Sequence, residues 1–395
     1  MMYHRSLFSA LKRHLREPQA TVITGQRRVG KSTLLKALLE EVPGDKKIYL
    51  DLEKMENRYI FKQASVAEME QYLEHLGVNI HSSCTIGLDE IQLLPEAVSA
   101  IKYWYDTYAV KFIITGSSSF YLKNRFSERL AGRKQIFELH PLSFDEFLVF
   151  QGVELHRLRR FAWKPYSPGF HNQYRKLYDD YILFGGFPEV VLANRKTTKI
   201  ALLQDVLNAY IDLDIKLLSD YTLNDELYKL IRLLSARVGS KMDISKISSI
   251  AGINRNKVSH YLHLFEQTYF LTRITPFSRN TDREISQQPK YYFSDSGILN
   301  LLTPGDIGKL FENAVINQFL RIDKRVNYYQ KKSGQEIDLV WKEDTAIEIK
   351  STPTRSDQAT LKARAASLQL KNTLLVGLQP AGDRFGDFLW GGSVY

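Results

Sequence analysis

From residue 1 to about 150, short β-branched or wholly apolar runs take turns with longer stretches of helical pattern. Thr21-Val22-Ile23-Thr24 is a compact β-branched run, as a buried strand requires. Thr33 to Glu40 is Leu-rich and free of Gly and Pro, which predicts a helix. Cys84 to Leu88 and Lys111-Phe-Ile-Ile-Thr115 predict two further buried strands. Such alternation predicts a parallel sheet with helices on both faces. From about 151 to 220 the pattern is helical and breaks at Phe184-Gly185-Gly186-Phe187-Pro188, where two glycines and a proline impose a tight bend. A hinge and a plain connector both satisfy that bend.

Between about Thr222 and Pro276 the pattern is that of a winged helix-turn-helix. Leu227, Leu230, Ile231 and Leu234 form one apolar stripe, and Ile244 to Ile250 predict a short helix. Ala251-Gly252-Ile253 supplies the turn, with Asn254 as N-cap of the next helix. On that helix Val258, Tyr261, Leu262 and Phe265 share one face. Asn256, Ser259, His260 and His263 share the other, flanked by Arg255 and Lys257. Thr268 to Pro276 reads as the wing strand. Such a helix can enter a DNA groove or serve only in domain packing.

Lys331 to Trp341 predicts a strand, Lys342 to Thr345 a turn, and Ala346 to Lys350 its partner. The expected class is therefore α/β, with a helical and winged-helix middle. It divides into a nucleotide-binding domain at 1–150, a helical connector at 151–221, a winged helix at 222–276 and a C-terminal α/β domain at 277–395.

Composition narrows the setting. No apolar run reaches the ~18–20 residues needed to span a membrane, and Met1-Met-Tyr-His-Arg lacks the apolar core of a secretion signal. The one cysteine, Cys84, falls in a predicted core strand, which excludes disulfides and Cys-based zinc sites. A cytoplasmic location is expected. The net charge of +10 suits a polyanionic partner without identifying one, because the basic residues are spread along the chain.

The first chemical signal is Gly25-Gln26-Arg27-Arg28-Val29-Gly30-Lys31-Ser32, which fits the phosphate-binding pattern G-x-x-x-x-G-K-[ST]. A strand feeding a Gly-rich turn that opens a helix aims backbone N–H groups and the helix dipole at one anion. The expected nucleotide contacts run from Gly25 through Lys31 and Ser32 to Thr33. Lys31 would neutralise the β/γ-phosphates and Ser32 would hold Mg²⁺. Asp89, ending the apolar run Cys84 to Leu88, would be the second Mg²⁺ ligand, and Glu90 the general base. Ser117, in Gly116-Ser-Ser-Ser119, is either a sensor of the γ-phosphate or part of an ordinary Ser-rich loop.

The second signal lies near the C-terminus. Period two places Glu348 and Lys350 on one side of their strand, with Ile347 and Ile349 toward the core. Asp338, on the preceding strand, can pair beside Glu348, and Glu312 lies on the predicted helix Leu310 to Leu320. The pattern D…E-x-K with an upstream helical Glu resembles the PD-(D/E)xK nuclease superfamily. That resemblance implies Asp338 and Glu348 as metal ligands and Lys350 at a scissile phosphate, with Glu312 as the fourth member.

In its full order the chain resembles the prokaryotic P-loop ATPases with an AAA-type N-terminal domain and a C-terminal DUF4143 domain. The matching segments are the phosphate loop, Leu88-Asp-Glu-Ile91, Thr115-Gly-Ser-Ser-Ser119, Leu130-Ala-Gly-Arg133 and His140-Pro-Leu-Ser-Phe144. They continue with Gly185-Gly-Phe-Pro188, Pro289 to Gly297, Phe311-Glu312, Glu336-Ile-Asp338 and Ile347-Glu-Ile-Lys350. The resemblance implies an ASCE-type P-loop core, a helical and winged-helix middle, and a restriction-endonuclease-like end. It also implies that Arg133 is an arginine finger, acting across a subunit boundary in a homo-oligomer. ATP and Mg²⁺ are the expected cofactors and DNA the expected partner. A signalling NTPase switch with a silent C-terminal domain, and a DNA-binding ATPase without cleavage, share the same ATP site.

Overall fold

The computed structural model describes residues 4–44, 46–117, 130–158, 162–215, 224–278, 288–331, 334–380 and 385–395. Ser118 and Ser119 of the expected sensor loop lie outside them, as do Lys332 and Ser333 of the expected hairpin. The chain forms two compact units, Met1–His140 with Gln267–Tyr269, and Pro141–Glu266 with Phe270–Tyr395.

In the first unit β1 (Ala20–Thr24), β2 (Lys47–Asp51), β3 (Cys84–Asp89), β4 (Val110–Gly116) and β5 (Lys134–Glu138) form one sheet in the order β2-β3-β4-β1-β5. Every pairing is parallel. β1 and β3 are buried at every position, which is why they read as unbroken runs and not as alternation. The helix Lys31–Glu40 buries Leu34, Leu35, Leu38 and Leu39. The helix Ala97–Thr107 buries Trp104, whose indole N–H donates to Glu70 at 2.9 Å. Cys84 is buried as expected, and burial pushes its thiol up to about 11. Because all five strands run the same way, their C-terminal ends share one edge. β4 lies between β1 and β3, so three strand ends bring their loops together there.

The second unit holds a mixed sheet in the order β12-β11-β10-β9-β8-β6-β7. Its strands are β6 (Leu271–Pro276), β7 (Lys290–Phe293), β8 (Val326–Gln330), β9 (Glu336–Trp341), β10 (Thr345–Lys350), β11 (Asn372–Gly377) and β12 (Leu389–Trp390). The expected hairpin is present as β9 and β10, antiparallel, with Val340 opposite Ala346 and Leu339 opposite Ile347. The strand expected to be a wing, β6, pairs antiparallel with β7 and also in parallel with β8 at Thr275 and Pro276. It therefore continues into the C-terminal sheet, across the boundary expected at residue 276.

The bend at 184–188 joins the helices Pro168–Phe184 and Pro188–Leu192, with Gly185 at φ 72. Asp295 braces it: its carboxylate accepts from the Gly186 N–H at 2.7 Å and from Gly297 and Ile298 at the start of the helix Ser296–Leu302. Among the described residues no helix is long and apolar enough to cross a membrane.

Candidate nucleotide site and a C-terminal carboxylate cluster

The phosphate loop joins the end of β1 to the helix Lys31–Glu40. Gly25 is needed for close approach: a Cβ there would stand 2.0 Å from the Leu139 carbonyl oxygen. Gly30, with φ 97, occupies the left-handed turn that opens the helix. Gln26 and Val29 are buried, Arg28 and Thr33 are exposed, and Ser32 is half-buried. Arg27 lies 3.7 Å from Glu53. Lys31 is only 4% exposed, and its ammonium donates to the carbonyls of Gly25 and Gln26 at 3.0 and 2.9 Å. It also lies 3.8 Å from Glu90.

Asp89 ends β3 and is buried. Its Oδ2 accepts from the Tyr49 hydroxyl at 2.6 Å, and its Oδ1 accepts from the Thr115 hydroxyl at the end of β4. Burial first, then the hydrogen bond to Asp89, push the Tyr49 phenol up, so it stays a donor. The Thr115 hydroxyl oxygen in turn accepts from the Glu90 N–H at 3.0 Å. Glu90 sits past the strand in a left-handed conformation, φ 59, and is 8% exposed. Gln92, in the single turn Ile91–Leu93, donates both to the Glu90 carboxylate and to the Ser117 hydroxyl, the latter at 3.0 Å. The fold thus gathers the phosphate loop, Asp89, Glu90 and Ser117.

Sequence reading missed four residues of this network. Tyr49, Thr115 and Gln92 belong to no metal or base pattern and gain their places only from strand order. The fourth is Arg5, buried, which donates to the carbonyls of Val29 and His140 at 2.8 Å each and so clamps the loop from behind.

Arg133 stands elsewhere. Its carbonyl accepts from the Ala20 N–H, which places it where β1 begins, whereas the phosphate loop starts where β1 ends. Five residues of strand make that about 15 Å. Its guanidinium pairs with Asp106 at 2.6 Å, a bond that raises its pKa further.

In the second unit Glu312, on the helix Ile307–Ile322, accepts from the Tyr292 hydroxyl at 2.7 Å. Burial, with the Asp338 charge second, lifts the Glu312 carboxyl to about 7. Continuing the β9–β10 register puts Asp338 opposite Glu348. There the ladder yields to a side chain: Asp338 Oδ2 accepts the Ile349 N–H at 2.8 Å. Glu348 is 7% exposed, pairs with Lys350 at 2.8 Å and lies 3.7 Å from Arg364. Burial, then Asp338, raise the Glu348 carboxyl. Burial opposes the charge on Lys350, but the bond to Glu348 and the nearby Asp338 outweigh it and raise its pKa. All four expected residues thus lie in one electrostatic cluster. Lys290, buried and paired with Glu336, joins it although its segment, Pro289 to Gly297, carried only the family resemblance and no site role, because β7 is far from β9 in the chain. Among the described residues no group of three His, Cys, Asp or Glu could hold a metal ion.

Three family models match in succession, and the first, an AAA domain, spans residues 17–148, the phosphate loop and β1 to β5 included. The N-terminal domain of this chain is an AAA domain. Residues 175–308 match a domain of unknown function, DUF8612, and residues 307–389 another, DUF4143, within which Glu312, Asp338, Glu348 and Lys350 all fall. An uncharacterized protein of Methanocaldococcus jannaschii is 26% identical over 81% of this chain and 71% of its own length. One of Haemophilus influenzae is 27% identical over 81% and 78%. Among solved structures, the Aeropyrum pernix ORC1 protein in complex with DNA aligns at 13% identity and a TM-score of 0.36, over 77% of this chain and 93% of that one.

Later in the chain, the helices Asn224–Ala236, Ile244–Ala251 and Arg255–Gln267 form as expected, with Gly252 at φ 70 in the turn. The Asn254 side chain accepts from the Asn256 N–H at 2.8 Å. Val258, Tyr261, Leu262 and Phe265 are buried, while Asn256, Ser259, His260 and His263 are exposed. Arg255 is exposed too, whereas Lys257 is ion-paired with Glu226.

Proposed function

We propose that this AAA-domain protein binds ATP with Mg²⁺ and hydrolyses it. The observation that carries this is the convergence, at one sheet edge, of the phosphate loop with Asp89, Glu90 and Ser117. Backbone N–H groups at the start of the helix Lys31–Glu40 would receive the phosphates, with Lys31 turning from the loop carbonyls to the β/γ oxygens. Ser32 and Asp89 would hold Mg²⁺, which neutralises charge developing on the phosphates. Asp89 retains acceptor capacity for this beyond the hydroxyls of Tyr49 and Thr115, since a carboxylate offers about four lone-pair sites. Glu90 would take the proton of the attacking water. Purified protein should hydrolyse ATP only with Mg²⁺. Lys31→Ala should weaken nucleotide binding, and Glu90→Gln should bind ATP yet stall. Equal rates for wild type and Glu90→Gln would remove Glu90 from the base role.

We further infer that the nucleotide cycle acts on DNA, in the cytoplasm. Two observations support this reading. The three helices from 224 to 267, the bridge between Lys241 and Lys290, and the antiparallel pair β6 and β7 follow the order of a winged helix. The Glu312, Asp338, Glu348 and Lys350 cluster has the residue types of metal-dependent phosphodiester hydrolysis. Glu348 Oε2 is buried without a hydrogen-bond partner among the described residues and faces the Arg364 guanidinium at 3.7 Å, a cation that could also meet a phosphate. An electrophoretic assay with linear, branched and single-stranded DNA, with and without ATP and Mg²⁺, tests it. Arg255→Glu should lower affinity across unrelated sequences and flatten log K against log[salt] by roughly one unit. ATP hydrolysis with no DNA association would favour the switch that answers to a protein partner.

A further inference from the structure

The amide of Gln92 is placed in a way that no nucleotide-binding pattern requires. Gln92 is 4% exposed, and its Nε2 donates to Glu90 Oε2 and to Ser117 Oγ. A carboxylate only accepts, so the amide can face Glu90 only with its NH₂ group, and the orientation follows. Its oxygen is then left buried without a hydrogen-bond partner among the described residues. An apolar side chain of equal length would avoid that cost, so the residue's use lies in its two donors.

We propose that Gln92 is a positioning residue for ATP hydrolysis, tying the carboxylate of Glu90 to the hydroxyl of Ser117; this rests on the ATPase reading above. The Glu90 backbone is tied to Thr115 through its N–H, so what the amide adds is a hold on the carboxylate. Glu90 follows β3 in a left-handed conformation, and its other carboxylate oxygen lies 3.8 Å from the Lys31 ammonium. Without the amide, the carboxylate falls toward that cation and away from a water that must be deprotonated. With it, the base is held from the side of β4, the strand that presents Ser117. A change in the hydrogen bonding of Ser117 then reaches Glu90 through one side chain.

The test is steady-state ATP hydrolysis by Gln92→Met, which keeps length and removes both donors, with ADP affinity and melting temperature as controls. The expected result is a fall in kcat of about ten- to a hundredfold, the scale of a small misplacement of a reacting group. ADP affinity should stay within about twofold, since transition-state positioning and not ground-state binding is removed. In a Glu90→Gln background the same substitution should cost nothing more, and with Ser117→Ala the two losses should not multiply. A melting defect alone would leave kcat and its dependence on Glu90 unmoved. Should Gln92→Met not fold, Gln92→Glu keeps the size, cannot donate as a carboxylate, and should show the same kcat loss. Wild-type kcat in the folded variant, or an equal fold-loss in the Glu90→Gln background, overturns the role of Gln92 alone. A wild type that binds ATP without hydrolysing it overturns the ATPase reading and this role with it.

Discussion

Gly25→Ala and Gly30→Ala bracket the phosphate loop and should differ in cost for a reason visible in the fold. Both glycines have positive φ, +152 and +97, so either alanine meets backbone strain of about 1–3 kcal/mol. Only at Gly25 does the new Cβ also meet backbone, 2.0 Å from the Leu139 carbonyl oxygen. That carbonyl cannot retreat freely, because the Leu139 N–H donates to the Thr24 carbonyl at 2.7 Å, extending the pairing of β1 with β5. Overpacking adds about 1–3 kcal/mol, and a lost ladder bond about 1 more. At Gly30 the nearest atom to a Cβ is the Arg5 guanidinium, 3.8 Å away, which is ordinary contact. The expected losses are therefore about 3–7 kcal/mol for Gly25→Ala and about 1–3 for Gly30→Ala. Urea unfolding should show this as midpoint shifts at constant m. Native-state hydrogen exchange should place the loss in β1 and β5 and not in the second unit. A Gly30→Ala cost equal to or above that of Gly25→Ala would refute the close-approach argument.

Asp338→Ala should abolish any Mg²⁺- or Mn²⁺-dependent cleavage of DNA while ATP hydrolysis persists; equal cleavage by the variant would remove the carboxylate cluster from that chemistry. Burial lifts the Asp295 carboxyl to about 6, against the pull of the Gly186, Ile298 and Gly297 N–H groups. A raised carboxyl means the folded state binds the extra proton, so this contribution falls as pH rises from about 4 to about 6. Asp295→Asn should be less stable by about 1–3 kcal/mol, because one acceptor oxygen is lost, and its stability should be flatter across that window. Urea midpoints measured at several pH values check both. Since Arg133 stands away from the phosphate loop of its own chain, a finger role requires a second copy. Mixing Arg133→Ala with Lys31→Ala protein should then restore some ATPase activity, and no recovery in verified mixed oligomers would exclude it.

The sequence by itself determined the elements whose identity is local. The phosphate loop was legible because glycine spacing, Lys31 and the flanking strand and helix are chemistry read along the chain. The helices from 224 to 267 and the strands β9 and β10 were legible through their periodicity, which fixed the buried face of the third helix and the shared side of Glu348 and Lys350. Tertiary structure decided whatever depends on which strands are neighbours. Inserting β4 between β1 and β3 is what hands Asp89 the hydroxyl of Thr115 and gives Gln92, already beside Glu90 in the chain, Ser117 to hold. Pairing β6 with both β7 and β8 carried a presumed wing strand into the C-terminal sheet, and brought Lys290 to the carboxylates. Periodicity records which face of a segment is apolar; strand order is set by how those faces cover one another, and no single segment carries that information.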